Sequence, residues 1–569
     1  MRPFHRLLFC LLLTTTTAAY ATDIHVGDFG AVPNDGNDDA PAIRAALDAC
    51  RKVKNPRLLF APGVYHVKTT GKSRRAFFNI TRFPSITICG DRTEIISNDL
   101  AGMFYFEECG DVRVSGLDID IQEDALPFAG GRVVATGDGT IDVEIAPGHP
   151  LREIPVQAFQ TFNNDTLAAH PPSHRDYFFI SQRRYDKPAQ IISPNVLRIF
   201  VNPSPEILRV NQKKRTLPLI GNHLIIWYVV RSEGRAIRSV NSGNLAFEDV
   251  RIFAASDMGL TALSCKSARL LRCSIMPRPG TGRWMSTTVD ATHFNMLRDR
   301  VELIDCVFEA MGDDGSNVHG IYTMVHERTD NRTLVMRGNK TIFGNPGLKE
   351  SDRAAPPPGN SLRPGDTLEF STNDNPLVPV FDAKILDAAW IEVGKIKMKR
   401  ITLDRDLPVY VQNGTVVGNA SETPEFVMRN CTVRRNRGCG MRLKTRNALI
   451  ENCTFEDLSG AGIWVTCDAT VDFESTATRN VTIRNNTIRN AHTALSVTAG
   501  RTESYPDVHE NILIEGNRIE SPWPVAIRIE STKGAVVRGN TIQAPGDEPI
   551  LVKLSSDVRV ENNTVKRLR

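Results

Sequence analysis

A six-residue phrase recurs eight times in the C-terminal half of this chain, and it leaves little choice of fold. The phrase is an apolar residue, two mostly polar ones, a Cys or Asn, a small or polar residue, and a second apolar residue. It reads Leu270-Leu-Arg-Cys-Ser-Ile275, Leu303-Ile-Asp-Cys-Val-Phe308, Met428-Arg-Asn-Cys-Thr-Val433 and Ile450-Glu-Asn-Cys-Thr-Phe455. It continues as Ile483-Arg-Asn-Asn-Thr-Ile488, Ile514-Glu-Gly-Asn-Arg-Ile519, Val537-Arg-Gly-Asn-Thr-Ile542 and Val560-Glu-Asn-Asn-Thr-Val565. Successive copies start 33, 125, 22, 33, 31, 23 and 23 residues apart. Steps near 23 fit one coil of a β-solenoid, those near 32 a coil with a longer turn, and the step of 125 a coil holding an insertion. The expected architecture is all-β, a right-handed parallel β-helix of the pectin-lyase-like kind with two inserted antiparallel β-barrels or sandwiches.

Stacking the fourth positions predicts a ladder of Cys273, Cys306, Cys431 and Cys453 followed by Asn486, Asn517, Asn540 and Asn563. Buried amides in such a column bond from rung to rung. Cysteines in the same slot read as packed free thiols rather than disulfides. A second strand accompanies each phrase, and alternation assigns Val289, Ala291, Met441, Leu443, Ile463 and Val465 to the core. The opposite set would face out: Asp290, Thr292, Asn317, His319, Arg442, Lys444, Trp464 and Thr466. A column of acids, bases, an aromatic and a His reads as a sugar-binding groove. By the same alternation His293 points inward and is structural.

Residues 1–21 read as a secretory leader, with basic Arg2, His5 and Arg6, apolar Leu7 to Leu13, and Ala19-Tyr20-Ala21 as the cleavage site. The mature chain is then expected to start at Thr22, secreted or periplasmic, with no membrane anchor. Residues 22–120 form an N-terminal cap and first coils, with an amphipathic helix over Ala40–Cys50 that carries Pro41 in its first turn. Residues 121–235 and 321–424 break the coil pattern and are assigned to the two inserted barrels. The coils resume over 236–320 and 425–569. The first insertion contains a hairpin over 132–145 about a Gly-Asp-Gly turn. The net charge of +4, from 69 basic and 65 acidic residues, gives no footprint for nucleic acid.

The chemistry centres on Asp313-Asp314, in Met311-Gly-Asp-Asp-Gly-Ser-Asn-Val-His-Gly320, and on Asp290, 23 residues upstream. One coil apart, residues stack about 4.8 Å from one another. The three carboxylates should therefore converge on an exposed patch, as acid/base hydrolysis of a glycosidic bond requires. The calcium loop spacing DxDxDG is absent, so no metal is assigned. Nor is any cofactor. Asn317 and His319 suit sugar hydroxyls, Trp464 the apolar face of a sugar ring. Arg442 and Lys444 suit hydroxyls or, in the blander reading, neighbouring charges. Asp257 and Trp284 are weaker candidates.

Asp290, the pair Asp313-Asp314, Val318-His-Gly320 and Arg442-Leu-Lys-Thr445 resemble the signatures of polygalacturonases, glycoside hydrolase family 28. The match departs at Val318, where that family has Gly, at Ala291 directly after Asp290, and at both insertions. The full run around Asp313, the cap and the insertions are similar instead to glycoside hydrolase family 110. That resemblance implies an exo-acting, inverting α-1,3-galactosidase, acting on terminal galactose of glycans such as blood-group B structures. It makes Asp313 the general acid, with Asp290 and Asp314 holding the attacking water. Inversion between two opposing carboxyls leads one to expect them about 6.5–9.5 Å apart. A galacturonan hydrolase and a non-catalytic β-helix adhesin are the alternatives, and a homo-oligomer is open.

Overall fold

The computed structural model describes residues 21–568 apart from 72–74, 163–176, 180–186, 202–208, 211–212, 215–219, 230–231, 233, 338–361, 395 and 501–503. The leader and the Pro-rich run Ala355–Gly359 fall outside the described residues. The main body is a 33-stranded sheet wound into a parallel β-helix. One column of its register runs Leu260, Thr292, Ser316, Met441, Ile463, Leu495, Ile527, Ile550. These strands are one coil apart and in step, so the apolar members stack on one another, with Thr292 and Ser316 as a hydrogen-bonded polar pair among them. A single continuous apolar core follows, running from Val26 in the cap to Ala544. The helix Ala40–Cys50 covers the N-terminal end, burying Ile43, Ala46, Leu47 and Cys50 on one face.

The phrase works through its third and fourth positions. The third is Arg272, Asp305, Asn430, Asn452, Asn485, Gly516, Gly539 and Asn562, and every one has a positive φ between 50° and 64°. A left-handed residue turns the chain from one strand into the next, and Asn, Asp and Gly adopt that conformation most readily. Arg272 is the exception, and its guanidinium is held by Asp249 and Glu248.

The fourth position is the ladder. Asn517 Oδ1 accepts from both the backbone N–H and the Nδ2 of Asn486, each at 3.0 Å, while Asn517 Nδ2 donates to Ile483 O and to Asn540 Oδ1. The pattern passes from amide to thiol without a break: Cys453 N–H donates to Asn486 Oδ1, and Cys431 N–H to Cys453 Sγ at 3.4 Å. The ladder cysteines are free thiols, as are the other described ones. Asn517→Leu strands two donors of Asn486 and a carbonyl below, and is expected to cost about 1–3 kcal/mol. An unchanged urea midpoint would refute the ladder.

Both insertions leave from the ends of coils. The first is a seven-stranded antiparallel sheet that includes the hairpin Phe128–Gly137 with Thr140–Ile145, and the helix resumes at Ile237. The second is a closed barrel whose first strand, Thr323–Arg328, starts two residues after the coil strand Ser316–Ile321. The barrel is tied to the coils by the two-pronged pair Arg446–Glu369 and by Arg298–Asp366.

Candidate active site

Asp290 lies on the rung before Asp313 and Asp314, and the backbone fixes the offset. Ala291 N–H donates to Asp314 O, and Asp314 N–H donates to Asp290 Oδ1 at 3.2 Å. One oxygen from each of the three carboxylates lies within 4.8 Å of the others. That is closer than the separation expected for two opposing carboxyls, because adjacent rungs set it. A water donating both hydrogens to two carboxylate oxygens at about 2.7 Å spans roughly 4.3–4.8 Å between them. The geometry therefore suits one water held between two acids.

The patch is less exposed than anticipated. Asp290 and Asp314 are buried, whereas the side chain of Asp313 is 26% exposed and faces the Arg437 guanidinium at 3.2 Å. Asp314 Oδ1 accepts from Cys439 N–H at 2.7 Å, and Arg442 stands 3.4 Å from Oδ2. Burial nevertheless dominates and pushes the Asp314 carboxyl up to about 7; Arg442 pulls it down, while Asp313 and Asp290 add repulsion.

Beneath the acids lies a charge network that the alternation pattern did not disclose. Glu474 comes from the irregular segment after Cys467, whose turn is shaped by Asp468 accepting from the N–H groups of Thr470, Val471 and Asp472. Glu474 and Ser475 pair antiparallel with Ile321 and Gly320, which lays Glu474 against the end of the site strand. Its carboxylate meets Lys444 Nζ at 2.7 Å, Arg442 at 3.4 Å and His319 Nε2 at 3.5 Å. Burial alone would raise Glu474, but Lys444 foremost, then His319 and Arg442, hold it well below the usual carboxylate range.

Several expected substrate contacts have partners inside the protein instead. Lys444 is fully buried and donates to Asn317 Oδ1 at 2.9 Å, so both line the floor of the site. Arg442 pairs with Asp314, Asp472 and Glu474. It also lies 5.1 Å over the Trp464 ring, so one face of that indole is covered, and Trp464 Nε1 donates to Thr498. His319 is buried, and burial moves it down to about 3; its neutral ring bonds Gly320 O through Nδ1 at 2.7 Å. Asp257 is buried one coil before Asp290 and pairs with Arg235. Trp284 packs against His149 and His223 of the first insertion.

Two positions reverse. Thr292 faces the interior, where its hydroxyl donates to Ser316 Oγ. His293 faces out, with Nδ1 2.7 Å from Asp290 Oδ2 and Nε2 2.8 Å from His319 Nε2. The strand begins only at Thr292, and the segment before it is irregular, so counting by twos from Asp290 starts in the wrong phase.

A family model described as a right-handed beta helix region matches residues 409–506 and 475–569. An alpha-1,3-galactosidase A of Shewanella woodyi is 24% identical over 91% of this chain and 86% of its own length. One from Bacteroides fragilis is 23% identical over 94% and 89%. Among solved structures, the exopolygalacturonase of Thermotoga maritima aligns over 96% of this chain and 92% of its own, at 10% identity and a TM-score of 0.42. Wound as a right-handed parallel β-helix with two antiparallel insertions, the chain is similar over nine-tenths of its length to alpha-1,3-galactosidases.

Proposed function

We propose that this protein is a glycoside hydrolase that removes terminal α-1,3-linked galactose from glycan ends, blood-group B structures among them, with inversion. The observation that carries the reading is the set of three carboxylates on two adjacent rungs, two buried and one facing solvent. The names of the relatives support galactose as the sugar. In this reading a water between Asp290 and Asp314 gives up a proton to the pair as its oxygen attacks the anomeric carbon. The bond to the leaving oxygen breaks, and that oxygen takes a proton from Asp313, the acid that reaches the surface. In this reading the enzyme also works outside the cytoplasm, which the leader-like composition of residues 1–21 supports.

A galacturonan hydrolase would need uncompensated positive charge along its groove. Arg442 and Lys444, the cations of the polygalacturonase-like signature, are neutralised by Asp314, Asp472 and Glu474. An adhesin would have no use for converging acids. Incubation with an α-1,3-galactoside and with pectin separates the three: galactose release from the first is expected, galacturonate release would favour the galacturonan hydrolase, and release from neither the adhesin. The close acid spacing is also seen in retaining pairs, so proton NMR of fresh product decides the stereochemistry. β-Galactose should appear first; initial α-galactose would sink inversion.

Asp314 works with Asp290 as the base and must be ionised to take the water's proton. With its carboxyl raised to about 7, kcat/KM should be low below neutrality and rise as pH rises through about 7. A profile flat to pH 9 would contradict this.

A further inference from the structure

His293 stands outside every role so far assigned, yet it touches Asp290 directly. Its surroundings determine where its protons lie. His319 Nδ1 faces a carbonyl, Gly320 O, which only accepts, so this nitrogen of the neutral ring must be the one bearing hydrogen. His319 Nε2 is then bare and can only accept: His293 Nε2 donates to it at 2.8 Å, and Glu474 Oε1, 3.5 Å from the same nitrogen, makes no hydrogen bond to it. On the other side, His293 Nδ1 sits 2.7 Å from Asp290 Oδ2, and Asp290 Oδ1 is occupied by Asp314 N–H. The carboxylate is thus clamped at both oxygens by one side chain and one backbone group.

We infer that His293 is a positioning residue that donates from both ring nitrogens, to Asp290 Oδ2 and to His319 Nε2, and so keeps Asp290 a carboxylate aimed at the attacking water. The inference rests on Asp290 acting as base in the proposed reaction. A ring that donates twice carries a positive charge, set between Asp290 and Glu474, the acids facing it. That charge offsets the repulsion between Asp290 and the pair Asp313-Asp314 on the next rung. It also explains the His–His contact, in which one neutral and one charged imidazole stand edge to face at 83°. The alternative placement of the shared proton, on Asp290, would leave the base already filled.

The test has two arms. In His293→Ala, kcat is expected to fall about 10–100-fold, as for loss of a group that orients a reacting one. KM should stay nearly constant, and added imidazole should recover part of the loss in a variant shown to be folded by its melting curve. In the wild-type protein, nitrogen-15 NMR of labelled histidines should show hydrogen on both nitrogens of His293 and only on Nδ1 of His319 at pH 7. Full activity in a folded His293→Ala protein, or a bare Nδ1 on His293, overturns the inference. A wild type that releases no galactose overturns the proposed function instead, and the NMR arm then still decides how His293 is bonded.

Discussion

Asp313→Asn should abolish turnover on a natural α-1,3-galactoside, by about 10³-fold or more, while the protein melts where the wild type does. Asp313 is the least buried of the three acids. The contacts that locate its backbone, from Asn436 Nδ2 and Gly438 N–H to Asp313 O, are indifferent to the change. Substitutions at such partly exposed positions usually stay within about 0.5 kcal/mol. The decisive comparison is between leaving groups. An aryl α-galactoside leaves without needing a proton, so the same variant should lose far less activity on it. An equal loss on both substrates would move Asp313 from the leaving-group side to the water side, and near-normal turnover on both would remove it from the mechanism.

Glu474→Ala should be among the most destabilising single changes in the molecule. It leaves Lys444 with no exposure and no carboxylate, and Arg442 with only Asp314 and Asp472. Removing one partner of a buried pair typically costs about 3–5 kcal/mol, because the other charge remains in a poorly solvating interior. Replacing both members, Lys444→Met with Glu474→Met, should cost less than Glu474→Ala, since no orphaned ion is left behind. Urea midpoints of the three proteins test this. If the single variant unfolds where the wild type does, the network under the acids is not what holds that floor.

The coil phrase made the fold legible because one local event, a left-handed residue before a ladder residue, repeats on every rung and writes itself into the sequence as Asn, Asp or Gly followed by Asn or Cys. The three acids were legible for the same reason, since a fixed coil length converts spacing into distance. Glu474 and Asp472 escaped because they belong to no phrase. They sit on an irregular turn shaped by Asp468, and periodicity is silent there. One signal was available: Arg442 and Lys444 on adjacent outward positions of a buried strand demand counter-charge, and the acids of the next coil's loop were the supply. His293 was misjudged for a different reason. Alternation holds only along extended backbone, and the irregular residues before Thr292 reset the phase. Trp464 was placed on the right face, but only the folded chain shows that Arg442 lies across its ring.

The amide column has a further consequence for how such a molecule could change length. Between Asn517 and Asn540 each rung meets its neighbours through the same bonds, donated and accepted in the same sense. Excising or duplicating a 23-residue unit there rejoins the same ladder bonds, on coils beyond those that carry the acids. The far end of the spiral is accordingly a region where evolution, or an engineer, can extend the molecule without retuning its chemistry.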